Sequence, residues 1–353
     1  MINGKGELGM MNKPRRGFRR FVLCLFCLAL MSGPFAVMAA SDPKVVDGAR
    51  KEGKVTWYAT TNVQDARPFI SGFNQKYPFV QVELLRLGSS RAVNKVATEA
   101  RAGTFSVDVL NVNDVEATRL AERGMFLKYQ SPEIKYYPRH LTDSDGHWLP
   151  FKTLPHVIGY NSRLVPAKEA PSSFEDLLDK KWRGKIMMDP EDFRLYSGFI
   201  QVWGKERARK YLDTLSRQEI QWRPGHSLLA QVLAAGEAPI ALIFAHHAEI
   251  LRSKGAPVDW DNRLDPIFLS ANVNFIAARA PHPNAAKLFV DFTLSKEAQM
   301  ILADSWRITP HPEVPPKTRK LDPKYLKMVL IRAMPDEILQ EHVEEWRKIF
   351  KLR

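Results

Sequence analysis

The chain has only two cysteines among its 353 residues. Both, Cys24 and Cys27, lie within the first 40 residues, which carry the features of a cleaved leader. The remainder therefore has no thiols, which excludes disulfides, thiolate metal sites and cysteine nucleophiles. Its stability must come from apolar packing, and a chain of this length can bury a sufficient core.

Several catalytic motifs are also missing. The sequence has no G-x-S-x-G elbow, no H-E-x-x-H and no phosphate loop with its lysine. Internal repeats and low-complexity segments are absent as well. We therefore expect a protein that is not an enzyme and uses no cofactor, with an exported metal-dependent hydrolase as an alternative.

The first 40 residues predict a secretory signal peptide. A basic region, Lys13–Arg20, precedes the apolar run Phe21–Met31, and small residues follow it. The run is short for a membrane span of about 20 residues, although an uncleaved anchor is the alternative. We expect cleavage near Ala39 and Ala40 and a periplasmic location. A pair of arginines in the basic region leaves both the Sec and the twin-arginine export routes open.

The charge is positive but dispersed. Removing the six basic residues and one acidic residue of the leader lowers the formal net charge from +13 to +8. Basic and acidic side chains alternate through segments such as Glu344–Lys348, which is typical of a solvated surface. We therefore expect no nucleic-acid partner. The remaining excess favours an anionic ligand in a cleft.

Apolar runs alternate with amphipathic stretches between residues 54 and 113. This alternation predicts two successive βαβ units and a parallel sheet covered by helices. The carboxyl ends of parallel strands share one edge, where open α/β sheets bind ligands. The polar residues at the three strand ends are therefore candidate ligand contacts: Thr60, Thr61, Asn62, Ser89, Ser90, Arg91, Asn113 and Asp114.

A second α/β region follows the first. We predict a lobe formed by residues 41–152 and 266–353, and a second lobe formed by residues 153–265. Two extended segments cross between the lobes, so the expected architecture is α/β with two hinged lobes that close on a ligand. Two consecutive unlinked domains would need a flexible linker, and the sequence contains none.

Four phrases resemble a known family. They are Ala49–Gly53, Phe73–Pro78, Asp179–Ile186 and Pro281–Lys287, and a fifth, Leu294–Gln299, ends the helix after them. In this order they resemble an extracellular solute-binding protein of an ABC transporter, in the type II periplasmic-binding group related to ferric-ion-binding proteins. The resemblance implies a two-lobe type II fold, a small-molecule ligand, an inner-membrane ABC permease as partner and a monomer.

The ferric members of that group imply a metal site that this sequence departs from. They hold iron through a histidine after the first strand, a glutamate after the third and a tyrosine pair in the second lobe. The matching positions here are Thr61–Asn62, Asn113–Asp114 and Ala245–His247. Most of the hard oxygen ligands that suit a ferric ion are gone. A ferric or other metal-binding protein is therefore the alternative.

The segment Ser89–Arg91 is the preferred anion site. It precedes a predicted helix, Ala92–Ala102, so its N–H groups and hydroxyls are suited to phosphate or carboxylate. Arg91 is a candidate for a bidentate clamp on the same anion. The alternative is that a serine only caps the helix while Arg91 points into solvent.

The second lobe supplies further candidates before its helices. Arg194, Tyr196 and Ser197 form one group, and His226 with Ser227 forms another, with simple helix capping as the alternative for each. His247 is a candidate hydrogen-bond donor to the ligand. We predict no metal site; the alternative metal set is His226, His246 and His247.

Together these features predict a function in transport. We expect a periplasmic solute-binding component of an ABC importer that closes two lobes on a small anionic organic solute, either a carboxylate or a phosphorylated compound. A ligand-sensing module for a receptor is the alternative of another class.

Overall fold

The computed structural model describes residues 41–114, 120–143 and 145–352. The predicted signal peptide, both cysteines and the cleavage site near Ala39 and Ala40 lie outside the described residues. Within the described ranges, no helix combines the length and the apolar character that a membrane crossing requires.

The first lobe begins with the predicted βαβαβ unit. Its strands β1 to β3 are Lys54–Ala59, Gln81–Arg86 and Val109–Asn113, and its helices α1 to α3 are Pro43–Glu52, Val63–Lys76 and Ser89–Arg101. β1 pairs in parallel with both β2 and β3. The Asp42 carboxylate accepts the Lys44 N–H at the start of α1, and Gly53, with φ of 72°, ends the helix.

The second lobe contains the strands and helices between the end of β4 at residue 161 and the start of β9 at residue 267. Its strands β5 to β8 are Ile186–Met188, Gln221–Trp222, Ile240–Phe244 and Val258–Trp260. Its helices α4 to α7 are Phe193–Trp203, Lys205–Leu215, His226–Ala235 and Ala245–Ser253. β5 is parallel to both β6 and β7. Short 3-10 helices lie at Ile134–Tyr136, Arg139–Leu141, Glu175–Leu178, Lys180–Trp182, Ser216–Gln218, Arg319–Leu321 and Pro323–Tyr325.

Two long antiparallel strands join the lobes. They are β4, Leu149–Asn161, and β9, Ile267–Ile276, and we call them the hinge strands. The first half of β4 pairs with β9, whereas its second half pairs with β7 of the second lobe. The sheet order is therefore β2-β1-β3-β9-β4-β7-β5-β6, with β8 on β4 and a short strand β10, Met328–Leu330, on β9.

Each lobe has its own aromatic core. Trp57, Phe69 and Phe289 pack at ring-centroid distances of 5.1 to 6.3 Å in the first lobe. Phe199 and Phe268 pack edge to face at 5.1 Å in the second. Two further helices of the first lobe, α8 and α9, are Pro283–Leu294 and Lys296–Asp304.

The last helix corrects the predicted lobe boundary. α10, Asp336–Phe350, was expected in the first lobe with the rest of residues 266–353, but it packs against α4. Trp346 and Phe350 belong to the hydrophobic core of the second lobe. The reason is that one face of α10 carries large apolar side chains, and these are buried by packing against the second-lobe core.

Candidate functional site

A cavity of 420 Å³ lies between the lobes, at the hinge strands. We call it the cleft cavity. The carboxyl ends of the first-lobe strands line one side, and the segments that lead into α4, α6 and α7 line the other. This is the edge at which open α/β sheets bind ligands. A larger cavity of 590 Å³ lies on the first lobe, around α3, and none of the predicted site residues lines it.

Most of the predicted contacts meet in the cleft cavity. Nine line it: Thr60, Thr61, Asn62, Ser89, Asn113, Arg194, His226, Ser227 and His247. Their roles in binding remain predictions. Residues that are far apart in the chain are brought together here because both lobes direct the polar ends of their strands to a common space.

Ser90 and Arg91 do not line the cleft cavity. α3 begins at Ser89 rather than at the predicted Ala92, so both residues lie within its first turn and are exposed. The N-cap is Gly88, which is extended and offers no side-chain cap. Arg91 therefore lies outside the lining of the cleft cavity, and its clamp on a ligand stays a prediction.

Tyr196 and Ser197 also lie away from the cleft cavity. α4 starts at Phe193, earlier than predicted, so both residues are inside the helix and buried. The Tyr196 hydroxyl donates to Glu345, and the Ser197 hydroxyl lies 2.9 Å from His342 Nδ1. Their polar groups are used to dock α10, so neither residue lines the cleft cavity, and their ligand contacts stay predictions.

Asp114 contacts Arg194 rather than the cleft cavity directly. Arg194 Nη1 donates to Asp114 Oδ1 at 2.8 Å, and both side chains are buried. The pair joins the end of β3 in the first lobe to α4 in the second. Asp114 therefore orients a cavity-lining arginine, and the direct ligand contact that the sequence predicts for it stays a prediction.

Two buried cations at the hinge were missed by the sequence analysis. Lys152 lies on β4 and donates from Nζ to the Thr61 hydroxyl at 2.6 Å. Arg307, which follows α9, donates to Asp65 on α2. Burial lowers the pKa of Lys152 well below its ordinary value, and the neighbouring Arg307 lowers it further. A lysine inside the apolar run of β4 is a sequence signal that could have identified Lys152 as a site residue. No sequence pattern around Arg307 identifies it in the same way.

The opposite wall holds a buried carboxylate between two imidazoles. Asp192 Oδ1 lies 3.0 Å from His226 Nε2 and 3.7 Å from His156 Nε2. Burial opposes ionisation of Asp192, but His226 and His156 outweigh it and lower the pKa of the carboxyl. Burial lowers the pKa of His156, while Asp192 raises the pKa of His226 against the same effect of burial. A histidine in the apolar run of β4 was the available signal for His156.

His246 and His247 form the first turn of α7, directly after β7. Both line the cleft cavity, and their ring centroids are 4.0 Å apart. Burial lowers both pKa values well below the ordinary value, and Arg307 adds to the effect. The alternative metal set His226, His246 and His247 does not assemble; the three-ligand group found among the described residues is His156, Asp192 and His226.

The chain is similar to bacterial solute-binding proteins. A family model described as bacterial extracellular solute-binding protein matches residues 107–330. An uncharacterized protein of Haemophilus influenzae is 25% identical over 83% of this chain and 88% of its own length. The Fe(3+)-binding periplasmic protein of Serratia marcescens is 21% identical over 76% of this chain and 82% of its own.

Solved structures share the fold. The periplasmic binding protein AfuA of Actinobacillus pleuropneumoniae, solved with exogenous fructose-6-phosphate, superposes with a TM-score of 0.76. It is 21% identical, and the match covers 85% of this chain and 99% of AfuA. The predicted two-lobe type II periplasmic-binding fold is thus confirmed.

Proposed function

Since the chain belongs to the bacterial extracellular solute-binding protein family, we propose that it is the periplasmic binding component of an ABC importer for a small anionic organic solute. The solute is a carboxylate or a phosphorylated compound. The two lobes close on it around the hinge strands, exclude water and present it to an inner-membrane permease. Its work is binding, and no chemical step is required.

The observation that carries this proposal is a surplus of buried basic side chains over carboxylates at the hinge. Lys152 and Arg307 are 5% and 4% exposed, and the carboxylate close to them is Asp65. Arg307 Nε and Nη1 have no hydrogen-bond partner among the described residues. Buried charge that is not paired is costly. An anion bound here would accept these hydrogen bonds and raise the pKa of Lys152 again.

Polar groups of the first lobe are placed to orient such an anion. The Thr61 hydroxyl donates to Asn111 Oδ1 at 3.4 Å while it accepts from Lys152, so the ammonium is held in one position. The Asn272 amide donates to the Thr60 hydroxyl at 3.1 Å. A few fixed polar groups in a cavity are the usual means by which a binding protein selects its ligand.

The similar proteins bind ligands of two chemical classes. AfuA was solved with a sugar phosphate, whereas the Serratia protein binds Fe(3+). Tyrosine is absent from the described residues that line the cleft cavity. A ferric ion prefers hard oxygen ligands such as phenolate and carboxylate. The cations at the hinge and the missing phenolates both favour an organic anion.

A thermal-shift panel tests the proposal. The purified protein is melted with fructose 6-phosphate, with citrate and with ferric chloride, each in separate titrations. A ligand present at a hundred times its Kd stabilises the folded state by about 2.7 kcal/mol, which raises Tm by roughly 5 °C in a protein of this size. We expect at least one organic anion to produce such a shift.

The variant Lys152→Met distinguishes the hinge site from nonspecific binding. It keeps the length of the side chain but removes its charge, so we expect the anion-dependent shift to be lost. Lys95→Met on the exposed face of α3 is the matched control and should retain the shift. Stabilisation by ferric chloride with none from either anion, or a full shift in Lys152→Met, would contradict the proposal.

A further inference from the structure

The cleft cavity has a second pole, of opposite charge, on the second-lobe wall. Asp189, Glu191 and Asp192 all line this wall. The partners of Asp189 are the backbone N–H groups of Gly225 and Glu191, at 2.6 and 2.9 Å. Because these partners are neutral, the wall keeps an excess of negative charge, unlike the hinge.

We propose that His156, Asp192 and His226 bind a divalent transition-metal ion at this pole, with zinc as the best match. Their ligand atoms all lie within 4.8 Å of one another. The two separations from Asp192 Oδ1 are 3.0 and 3.7 Å. Ligand atoms about 2.1 Å from a shared zinc ion are roughly 3 to 4 Å apart, so small side-chain shifts complete the site.

The hydrogen bond of His156 directs a lone pair toward Asp192. Its Nδ1 lies 3.3 Å from the Phe268 carbonyl oxygen, which can only accept, so we assign the proton of the neutral ring to Nδ1. Nε2 then presents a lone pair to a carboxylate oxygen, and a proton or a metal ion between these two acceptors would relieve their repulsion. A backbone carbonyl on the far nitrogen is the usual support of a metal-bound histidine.

Asp192 has a buried oxygen left over. Its side chain is 4% exposed, and Oδ2 has no hydrogen-bond partner among the described residues. Although Asp192 is the N-cap of α4, its carboxylate makes no capping hydrogen bond. A metal ion would satisfy a carboxylate that the helix does not use.

The surrounding residues hold the ligands in place. The Phe244 ring lies 3.9 Å from the His226 ring centroid and 4.7 Å from that of His156. Asp189, through its hydrogen bond to the Gly225 N–H, fixes the turn that leads into His226. Packing and second-layer hydrogen bonds of this kind are what a metal site requires of its protein.

The ligand set selects the class of ion. Two imidazole nitrogens and one carboxylate suit zinc and neighbouring divalent metals, whereas a ferric ion prefers harder oxygen ligands. Three protein ligands leave a fourth tetrahedral position for water or for an oxygen of the solute. The metal and the anion would then be held at opposite poles of one cavity.

Calorimetry with zinc tests the site directly. The purified protein is freed of metal with EDTA, dialysed and titrated with zinc chloride. We expect one ion per chain, and a loss of affinity of at least about 100-fold in His156→Gln and in Asp192→Asn. His247→Gln removes a histidine from the same cavity but not from the site, so it should bind within about threefold of wild type.

Cobalt(II) supplies a second measurement that does not depend on a single variant. We expect the visible d–d absorption of a tetrahedral ion in wild type and in His247→Gln, and its loss in His226→Gln. Circular dichroism checks that each variant is folded. If wild type binds no zinc, or if His247→Gln loses binding as strongly as His156→Gln, the inference is overturned.

The zinc experiments and the anion experiments can fail independently of each other. Lys152→Met removes the hinge cation without touching the three ligands, so it should bind zinc as wild type does. If wild type binds no zinc but an anion still raises its Tm, the proposed metal site is refuted and the proposed function is not.

Discussion

Glu133 shows how a single buried carboxyl ties stability to pH. It is 6% exposed, and burial raises its pKa to about 7, with the charge of Asp291 adding to the effect of burial. Lys76 and Lys135 act in the opposite direction but do not outweigh them. Because the folded-state pKa is above the ordinary value of 4.5, the protonated carboxyl is the form that folding favours.

Through Glu133, the free energy of unfolding therefore falls as the pH rises. The contribution of Glu133 is complete below pH 4.5 and is lost as the pH passes through about 7. We expect Glu133→Gln to be more stable than wild type at pH 8 by about 2 kcal/mol, and the difference to vanish below pH 4.5. Urea unfolding at several pH values measures this. Glu122→Gln, on an exposed carboxyl, should show no such trend; a pH-independent difference for Glu133→Gln would show that burial does not control its ionisation.

At the scale of single elements, α4 links the cleft cavity to the core of the second lobe. Its start places Asp192 and Arg194 at the cavity, while its middle packs on β9. Gly198 makes that packing possible: a Cβ atom there would lie 2.7 Å from Cδ1 of the fully buried Phe268. The neighbouring Tyr196 and Ser197 are predicted ligand contacts ahead of a helix, whereas Gly198 allows the helix to approach a strand closely.

Gly198→Ala is therefore expected to destabilise the protein. Alanine favours a helix over glycine by about 1 kcal/mol, but forcing a methyl group against the Phe268 ring costs about 1 to 3 kcal/mol. We expect a net loss of about 1 kcal/mol in the free energy of unfolding, measured with urea. Asn94→Ala, at an exposed position in the middle of α3, is the control and should not lower stability. Equal stability of Gly198→Ala and wild type would refute the steric argument.

At the scale of the whole molecule, the second lobe is closed by the end of the chain. Trp346 on α10 is fully buried and donates from its indole N–H to the Pro190 carbonyl at 3.0 Å. Its ring centroid lies 4.5 Å from that of Phe350 and 6.2 Å from that of Trp222. The lobe is thus discontinuous, and its stability depends on a helix that follows the last hinge strand.

Trp346→Ala should weaken the second lobe strongly. Removing a buried indole costs about 3 to 5 kcal/mol through lost burial and the cavity that remains. Guanidinium unfolding followed by circular dichroism measures the loss. Tyr325→Ala, at an aromatic residue that is 53% exposed, is the control and should change stability by less than about 0.5 kcal/mol. A small effect of Trp346→Ala would mean that α10 is not needed to close the lobe.

The sequence by itself determined the class of fold and the edge of the sheet at which a site could form. The alternation of apolar runs and amphipathic stretches requires a parallel sheet with covering helices, and this periodicity is local. The turns at Thr60–Asn62, Ser89 and Asn113 follow strands directly, so their common edge follows from the strand order. Glycine at position 53 ends α1 for an equally local reason.

Only the tertiary structure decided which side chains share the cavity. Lys152 and His156 are adjacent to apolar neighbours on one strand, but their roles depend on which lobe each half of β4 pairs with. Arg307 and Asp192 reach the cavity through the paths of irregular segments, and helix starts that moved by a few residues turned Arg91 and Tyr196 away. These are long-range consequences of packing, and no periodicity in the sequence encodes them.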